Sequence, residues 1–188
     1  MKILTSMQDA ELRATLTRGG VAVIKTDTLY GLVASASDPK AVQKVYDLKD
    51  RNEHKACIVL IADVSQLLPG THMDKAHSAL MDKYWPGPVT IIMPVVDTQN
   101  LDYLTRGNGS LAYRLPDSSD LRELIRRTGP LIAPSANPEG AEPARSVGDA
   151  AAYFGEAVDA YVDSGEVKNA TASRIITVNE SGEEQILR

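Results

Sequence analysis

The sequence predicts an α/β protein built on a mixed sheet of parallel and antiparallel strands with helices packed on it. Two observations support this fold class. Short apolar runs alternate with amphipathic stretches along most of the chain, and a late group of short apolar runs is typical of antiparallel pairing. The 188 residues are 43% hydrophobic and 24% charged, which fits one globular domain over residues 1–188.

Helices and strands alternate in the first half of the chain. Residues 7–18 carry apolar positions among charges, and Gly19-Gly20 ends this predicted helix. Asp38 and Pro39 predict the start of a second helix, because aspartate is a favoured N-cap and proline suits the first helical position. The other predicted elements here are strands at 21–24, 57–61 and 89–93 and a helix at 74–84.

The predicted elements become shorter in the second half. A strand at 111–115 ends at Pro116, and a helix at 121–128 ends at Gly129-Pro130. The late cluster of short strands favours a mixed sheet over a purely parallel one. The elements that complete the prediction are a helix at 146–154 and strands at 131–133, 158–162, 174–178 and 184–188.

Charge and composition exclude several classes of protein. The 25 acidic and 20 basic residues give a net charge of −5, so contact with bulk nucleic acid is expected to be weak or transient. The single cysteine, Cys57, and three histidines are too few for a disulfide framework or a Cys/His metal site. No apolar run reaches the roughly 18 residues of a membrane span and no signal-peptide pattern is present, so we expect a cytoplasmic protein with no membrane partner.

The first candidate ligand-binding segment is Lys25-Thr-Asp-Thr-Leu-Tyr-Gly31. It directly follows the predicted strand 21–24, and ligands of α/β sheets bind beyond the carboxyl ends of strands. Its side chains offer hydroxyl groups and one carboxylate. The alternative is a polar turn held by local hydrogen bonds.

The second candidate is the pair Lys49 and Arg51, just past the helix that begins at Asp38. In extended backbone these two side chains would face the same side and could bind one polyanion. The alternative is a solvated helix end whose cations complement the helix dipole. The sequence has no phosphate-loop or dinucleotide fingerprint, so scattered side chains of this kind would have to hold any nucleotide.

The third candidate is Ala133-Pro-Ser-Ala-Asn137, after the predicted strand 131–133. Ser135 and Asn137 would project on one side and could bond phosphate or ribose oxygens. The alternative is an Asn/Ser turn that leads into Pro138.

Three further residues stand near predicted strands. Arg114 lies inside an apolar strand and needs either an acidic partner or a cavity with an anionic ligand, because an unpaired buried charge is costly. Ser173 precedes a late strand, where ordinary edge chemistry is the alternative. Arg188 follows the last predicted apolar positions, where a solvated tail is the alternative.

Five short motifs follow one another along the chain, and their order is specific although no single motif is. They are Thr26-Asp-Thr-Leu-Tyr-Gly-Leu32, Lys49-x-Arg51, Trp85-Pro-Gly-Pro-Val-Thr90, Ala112-x-Arg114-x-Pro116 and Pro134-Ser-Ala-Asn137. With these motifs the chain resembles the YrdC family of L-threonylcarbamoyladenylate synthases over roughly residues 19–188. The resemblance implies a twisted, open, YrdC-like sheet with a concave, positively charged face, in the short single-domain form.

The same resemblance implies an enzyme, a nucleotidyltransferase that condenses L-threonine, bicarbonate or CO2, and ATP to threonylcarbamoyl-AMP and pyrophosphate. A threonylcarbamoyl-transfer complex would then modify the adenosine beside the anticodon of ANN-decoding tRNAs. ATP is a substrate in this interpretation, Mg2+ is expected to accompany it, and no protein metal site is expected.

The resemblance also assigns roles to residues. Lys49 and Arg51 would be the catalytic pair that neutralises the triphosphate. Replacing Arg51 or Arg114 by alanine is expected to cut synthesis at least about tenfold and to leave the fold intact. The chain departs from the family pattern at Lys25, at Asn52-Glu-His-Lys55 and at Arg174. The implied L-threonine contacts are Thr26, Arg114, Ala133 and Ser173, and the implied ATP contacts are Lys49, Arg51, Ser135, Asn137 and Arg188.

Two other functions remain open at this point. One is a non-catalytic YrdC-like RNA-binding module, against which the net negative charge weighs. The other is a carbamoyl-transfer domain like those of hydrogenase maturation proteins, which sit in much longer chains with acylphosphatase and zinc-finger parts.

Overall fold

The computed structural model describes residues 1–98, 100–168 and 171–188. The strands in these residues form one ten-stranded open sheet with helices packed on it. The helices are α1 (Ala10–Thr17), α2 (Pro39–Lys49), α3 (Lys75–Tyr84), α4 (Asp102–Thr105), α5 (Ser119–Thr128) and α6 (Val147–Phe154). The strands are β1 (Ile3–Leu4), β2 (Ala22–Lys25), β3 (Tyr30–Ser35), β4 (Ile58–Leu60), β5 (Val89–Pro94), β6 (Ser110–Arg114), β7 (Leu131–Ile132), β8 (Ala160–Val162), β9 (Arg174–Val178) and β10 (Glu184–Ile186).

The sheet is mixed, as the sequence predicts. Its strand order is β1-β8-β2-β3-β7-β4-β6-β5-β9-β10. Strand β8 pairs in parallel with β1 and β2, and β4 and β5 pair in parallel with β6 and β9 respectively. The pairs β2/β3, β3/β7, β4/β7, β5/β6 and β9/β10 are antiparallel.

The sheet separates two hydrophobic cores. In β2, Val23 belongs to one core, whereas Ala22 and Ile24 belong to the other, because successive side chains of a strand point to opposite faces. Leu12 of α1 and Leu121 of α5 fill the second core. None of the helices in the described ranges has the length and apolar composition of a membrane-crossing segment.

Helix α2 positions part of the site, and its start confirms the capping prediction. The Asp38 carboxylate accepts hydrogen bonds from the backbone N–H groups of Lys40 and Ala41 at 2.9 and 3.3 Å, and Pro39 is the first helical residue. The helix ends at Lys49, and Asp50 takes a left-handed φ of 48°. This turn sends the chain after Lys49 in a new direction.

Three of these helices and strands are not predicted by the sequence pattern. The first is β3, because residues 25–31 indicate a polar loop, although the Leu32-Val-Ala34 run that follows is apolar and β-prone. The others are the two-residue strand β1 and the four-residue helix α4, which are too short to show a periodic pattern.

Candidate functional site

A cavity of about 260 Å³ opens among the ends of β2, β6 and β7 and the segment that precedes β9. It brings together seven of the nine site residues that the sequence analysis named. Lys49 and Asn137 are the two that do not line it. The seven lining residues are Thr26, Arg51, Arg114, Ala133, Ser135, Ser173 and Arg188.

The cavity is positively charged. Among the described residues, its lining contains three arginines, Arg51, Arg114 and Arg188, and no acidic side chain. Hydroxyl groups of Thr28, Ser135 and other residues complete the polar part of the lining. Guanidinium groups bind carboxylates and phosphates through paired hydrogen bonds, so this cavity suits an anionic ligand.

The sequence left two alternatives for Arg114, an acidic partner or a cavity with an anionic ligand. The structure shows both, because Arg114 pairs with Asp27 and also lines the cavity. Its side chain is 4% exposed and its Nη2 lies 3.3 Å from Oδ1 of Asp27, whose side chain is 6% exposed. The other Asp27 oxygen accepts a hydrogen bond from the Asp117 backbone N–H at 3.2 Å. Burial lowers the pKa of Arg114, Asp27 opposes this effect, and the nearby charge of Arg188 adds to it.

Arg51 and Arg188 are held by backbone carbonyl groups. Arg51 donates from Nε to the Lys55 carbonyl at 3.0 Å and from Nη2 to the Ala56 carbonyl at 3.1 Å. Arg188 donates from Nε and Nη2 to the Ser173 carbonyl at 3.3 and 3.0 Å. These contacts orient both guanidinium groups without supplying a compensating negative charge.

The expected orientation of Lys49 is wrong. Lys49 is the last residue of α2 and the left-handed Asp50 follows it, so the backbone is not extended and Lys49 and Arg51 do not face the same side. The Lys49 side chain is buried, and its Nζ donates to the carbonyls of Ser135, at 2.5 Å, and Asn137. Lys49 therefore fixes the loop that presents Ser135 to the cavity.

Burial also alters the protonation of Lys49. It lowers the pKa of the amine to about 8, and the neighbouring charge of Arg51 acts in the same direction. The ammonium group still has two backbone carbonyls as acceptors, which lowers the cost of burying it.

The loop after β7 is internally bonded. Asn137 is buried and donates from Nδ2 to the carbonyls of Pro138 and Ala141, both at 2.8 Å, so its side chain stabilises the loop instead of lining the cavity. Ser135 pairs with Gly31 in an isolated antiparallel bridge. This bridge places Ser135 at the wall of the cavity.

Thr26 is both a turn residue and a cavity residue. Its Oγ1 donates to the Leu29 carbonyl at 2.7 Å and accepts from the backbone N–H groups of Thr28 and Leu29 at 3.1 Å. This is the local bonding that the alternative interpretation of the segment predicts. The turn directs Thr26 and Thr28 into the lining.

Ser173 and Ala133 are fixed from neighbouring strands. The Ser173 hydroxyl lies 3.0 Å from Oγ1 of Thr90, and both residues are buried. The Ala133 N–H donates to the Ile58 carbonyl at 2.9 Å. The site therefore draws on segments that are distant in sequence, which is why its shape could not be read from any one motif.

The departures from the family pattern lie outside the lining. Lys25 donates from Nζ to the carbonyls of Ser164 and Glu166, both at 3.2 Å. The guanidinium carbon of Arg174 lies 4.8 Å from the ring centre of Tyr84. Lys55 forms an ion pair with Glu139. All three side chains support the surroundings of the cavity.

Several contributors have no signal in the sequence, and Asp27 and Pro143 are two of them. Asp27 was named only as part of a polar segment, and its pairing with Arg114 has no sequence signal, since 87 positions separate the two residues (114 − 27). Pro143 lines the cavity from the segment before α6, and nothing in the surrounding sequence distinguishes it from an ordinary loop proline.

Comparison with known proteins identifies the family. The model of the Sua5, YciO and YrdC proteins, described as telomere recombination, matches residues 14–188. The chain belongs to the Sua5/YciO/YrdC family. This confirms the resemblance that the ordered motifs predict.

Two curated relatives of this Sua5/YciO/YrdC chain carry the same name. A threonylcarbamoyl-AMP synthase from Marinobacter nauticus is 34% identical over 175 residues, which cover 92% of both chains. Another from Idiomarina loihiensis is 37% identical over 163 residues, covering 84% of this chain and 86% of that one.

A solved family structure has the same fold. Pyrococcus abyssi Sua5, complexed with L-threonine, matches with a TM-score of 0.88 and 26% identity. The match covers all of this chain and 57% of that one, so this chain spans a little over half the length of that protein. The match confirms the predicted fold class.

Proposed function

We propose that the protein is a threonylcarbamoyl-AMP synthase that condenses L-threonine, bicarbonate or CO2, and ATP to threonylcarbamoyl-AMP and pyrophosphate. The observation that carries the proposal is the gathering of three arginines and several hydroxyl groups in one cavity of about 260 Å³. Membership of the Sua5/YciO/YrdC family and the names of the two curated relatives support it. The pairing of all described strands into one sheet supports a single domain over residues 1–188.

L-Threonine binds near Arg114 in this proposal. The guanidinium group binds the amino acid carboxylate, because its charge is buried at the cavity wall and only one side of it meets Asp27. Thr26 and Ser173 offer hydroxyl groups, and Ala133 offers backbone, around the same part of the lining.

ATP binds against Arg51, Ser135 and Arg188. The two arginines have no carboxylate within 4.0 Å among the described residues, so their charge is available to the triphosphate. Arg51 acts as the catalytic cation. Lys49 does not line the cavity, but its ammonium group binds the Ser135 carbonyl and adds positive charge next to the ATP site. Asn137 stabilises the same loop through its hydrogen bond to the Ala141 carbonyl.

The chemistry follows from these contacts. The threonine amine adds to CO2 and releases one proton to water, which gives a carbamate, and a carbamate oxygen attacks the α-phosphorus of ATP. The bond between the α-phosphorus and the oxygen that bridges it to the β-phosphorus breaks, and pyrophosphate leaves with that oxygen. Nucleotidyl transfer of this kind depends on positioning and charge neutralisation, which the arginines supply.

Mg2+ has no protein cage in this cavity. Among the described residues there is no group of three or more His, Cys, Asp or Glu side chains that could hold a metal ion, and no Asp or Glu side chain lines the cavity. Mg2+ commonly binds through substrate phosphates and water, so these residues do not fit a resident ion and no step is assigned to one.

The decisive experiment is a pyrophosphate-release assay with purified protein. We expect release that requires ATP, bicarbonate and L-threonine together, and that is weak with L-serine, L-valine or L-alanine. Nucleotide-dependent synthesis of threonylcarbamoyl-AMP should be confirmed by mass spectrometry of the product. Absence of release with any amino acid would contradict the proposal.

A parallel RNA filter-binding measurement tests the alternative of a non-catalytic module. Strong RNA binding together with no ATP-dependent product would favour that alternative.

The proposed acceptor system is a threonylcarbamoyl-transfer complex that modifies ANN-decoding tRNAs. Since tRNA is the eventual acceptor, we place the reaction in the cytoplasm.

A further inference from the structure

The loop that carries Arg51 is held from behind by a tyrosine. Tyr46 lies in α2, is 2% exposed and does not line the cavity. Its hydroxyl donates to the Lys55 carbonyl at 2.9 Å. The same carbonyl accepts the Nε–H of Arg51 at 3.0 Å. One backbone oxygen therefore links the tyrosine hydroxyl to the arginine.

The Tyr46 ring is fixed independently of its hydroxyl. The guanidinium carbon of Arg106 lies 3.8 Å from the ring centre. Arg106 is itself held by Gln43, to which its Nη2 donates at 3.2 Å. This cation–π contact stabilises the ring position, and so does the Arg51 guanidinium carbon at 5.9 Å from the ring centre. Neither contact uses the hydroxyl group that donates to Lys55.

The hydroxyl group is a donor at neutral pH. Burial raises the pKa of Tyr46 well above its ordinary value, so the phenol keeps its proton. The backbone adds a second link between the same two residues, since the Arg51 N–H donates to the Tyr46 carbonyl at 3.1 Å. Arg51 is thus tied to Tyr46 through both its main chain and the Lys55 carbonyl.

We infer that Tyr46 is a positioning residue for Arg51, and that its hydroxyl sets the orientation of the guanidinium group in the cavity by fixing the Lys55 carbonyl. This inference rests on the proposed function, because the ligand that Arg51 meets is taken to be the triphosphate of ATP. It extends the set of residues that control the reaction to one that touches no substrate.

The test is Tyr46→Phe, which removes the hydroxyl and keeps the ring that stacks on Arg106. Loss of one such hydrogen bond should lower kcat/KM for ATP by about three- to tenfold. The loss should appear in kcat, because Arg51 faces the negative charge that develops in the transition state, and the KM for L-threonine should not change. The matched control is Tyr161→Phe, because this buried hydroxyl also donates to a backbone carbonyl, that of Gly155 at 2.7 Å, away from the cavity lining.

A double-mutant cycle separates positioning from a general structural effect. In an Arg51→Ala background, Tyr46→Phe should cause no further loss of activity, since the arginine that it orients is gone. Equal effects in the two backgrounds would overturn the inference, and so would a Tyr46→Phe enzyme that matches Tyr161→Phe.

Hydrogen exchange tests the inference without any activity assay. The backbone amides of residues 52–56 should exchange faster in Tyr46→Phe than in wild type or Tyr161→Phe. Equal exchange in all three proteins would overturn the inference. An inactive wild type with faster exchange in Tyr46→Phe would contradict the proposed function and leave the link to Arg51 standing.

Discussion

Positive charge is compensated differently in two parts of the cavity, the floor at Arg114 and the rim at Arg51 and Arg188. At the floor, Arg114 is buried and lies 3.3 Å from the carboxylate of Asp27. At the rim, Arg51 and Arg188 lie on backbone carbonyl oxygens. A carbonyl oxygen orients a guanidinium group, whereas a carboxylate also cancels its charge.

Because of this difference, replacing an arginine should lower the folding stability by different amounts at the floor and at the rim. Removing one partner of a buried ion pair leaves the other charge uncompensated in a poorly solvated place. Removing a rim arginine leaves neutral carbonyl groups without that donor and leaves no unpaired charge. We therefore expect substitutions at the floor to cost more folding stability than substitutions at the rim.

The largest effect on activity is expected at the rim. Arg51→Ala should lower the rate of ATP-dependent pyrophosphate release by about 10²–10³-fold, because a charge that faces the developing negative charge is lost. The free energy of unfolding should fall by about 1–2 kcal/mol, because two hydrogen bonds to the Lys55 and Ala56 carbonyls are lost but no buried charge is left unpaired. The assay is steady-state kinetics with urea denaturation in parallel, and Arg13→Ala on the exposed face of α1 is the matched surface control. Retention of more than about a tenth of the activity would contradict the role given to the rim.

The floor should respond in stability as well as in activity. The sequence alone predicted an intact fold for Arg114→Ala, but the structure changes this expectation, because the substitution leaves Asp27 buried without its partner. We expect a loss of about 3–5 kcal/mol in the free energy of unfolding, measured by urea denaturation. The double variant with Asp27→Asn should recover part of this loss without recovering activity. An Arg114→Ala protein as stable as Arg51→Ala would remove the distinction between floor and rim.

Part of the cavity lining could be predicted from sequence, because polar residues that follow apolar strands converge at one end of an α/β sheet. Thr26 and Ser135 were placed in this way, whereas Arg114 stood out as a cation inside an apolar strand and Arg51 as a cation just past a helix. The identity of the acidic partner of Arg114 could not be predicted. Asp27 follows β2 and Arg114 ends β6, and three strands lie between β2 and β6 in the sheet, so the contact depends on the strand order.

Local backbone geometry explains the remaining errors. The orientation of Lys49 depends on the left-handed conformation of Asp50, a conformation for which aspartate is only mildly enriched. Asn137 bonds its own loop instead of the cavity, which short polar side chains often do. In both cases the residue types were informative about a polar site, but the direction of each side chain was decided by one turn.

Lys49 offers a third, smaller test, because it lies behind the rim as a buried cation that donates to two backbone carbonyls and forms no ion pair with any residue in the described ranges. Its pKa is about 8 in the folded protein, below the ordinary 10.5. Between these two pH values the unfolded chain binds a proton that the folded chain does not, so the free energy of unfolding should rise with pH in this window. Denaturation of wild type and Lys49→Met at pH 7.5, 9 and 10.5 isolates this slope, since all other lysines cancel in the difference. The two proteins could instead show a difference in unfolding free energy that stays constant with pH. The charge of Lys49 would then be compensated as fully as that of Arg114, and the contrast between floor and rim would not extend to Lys49.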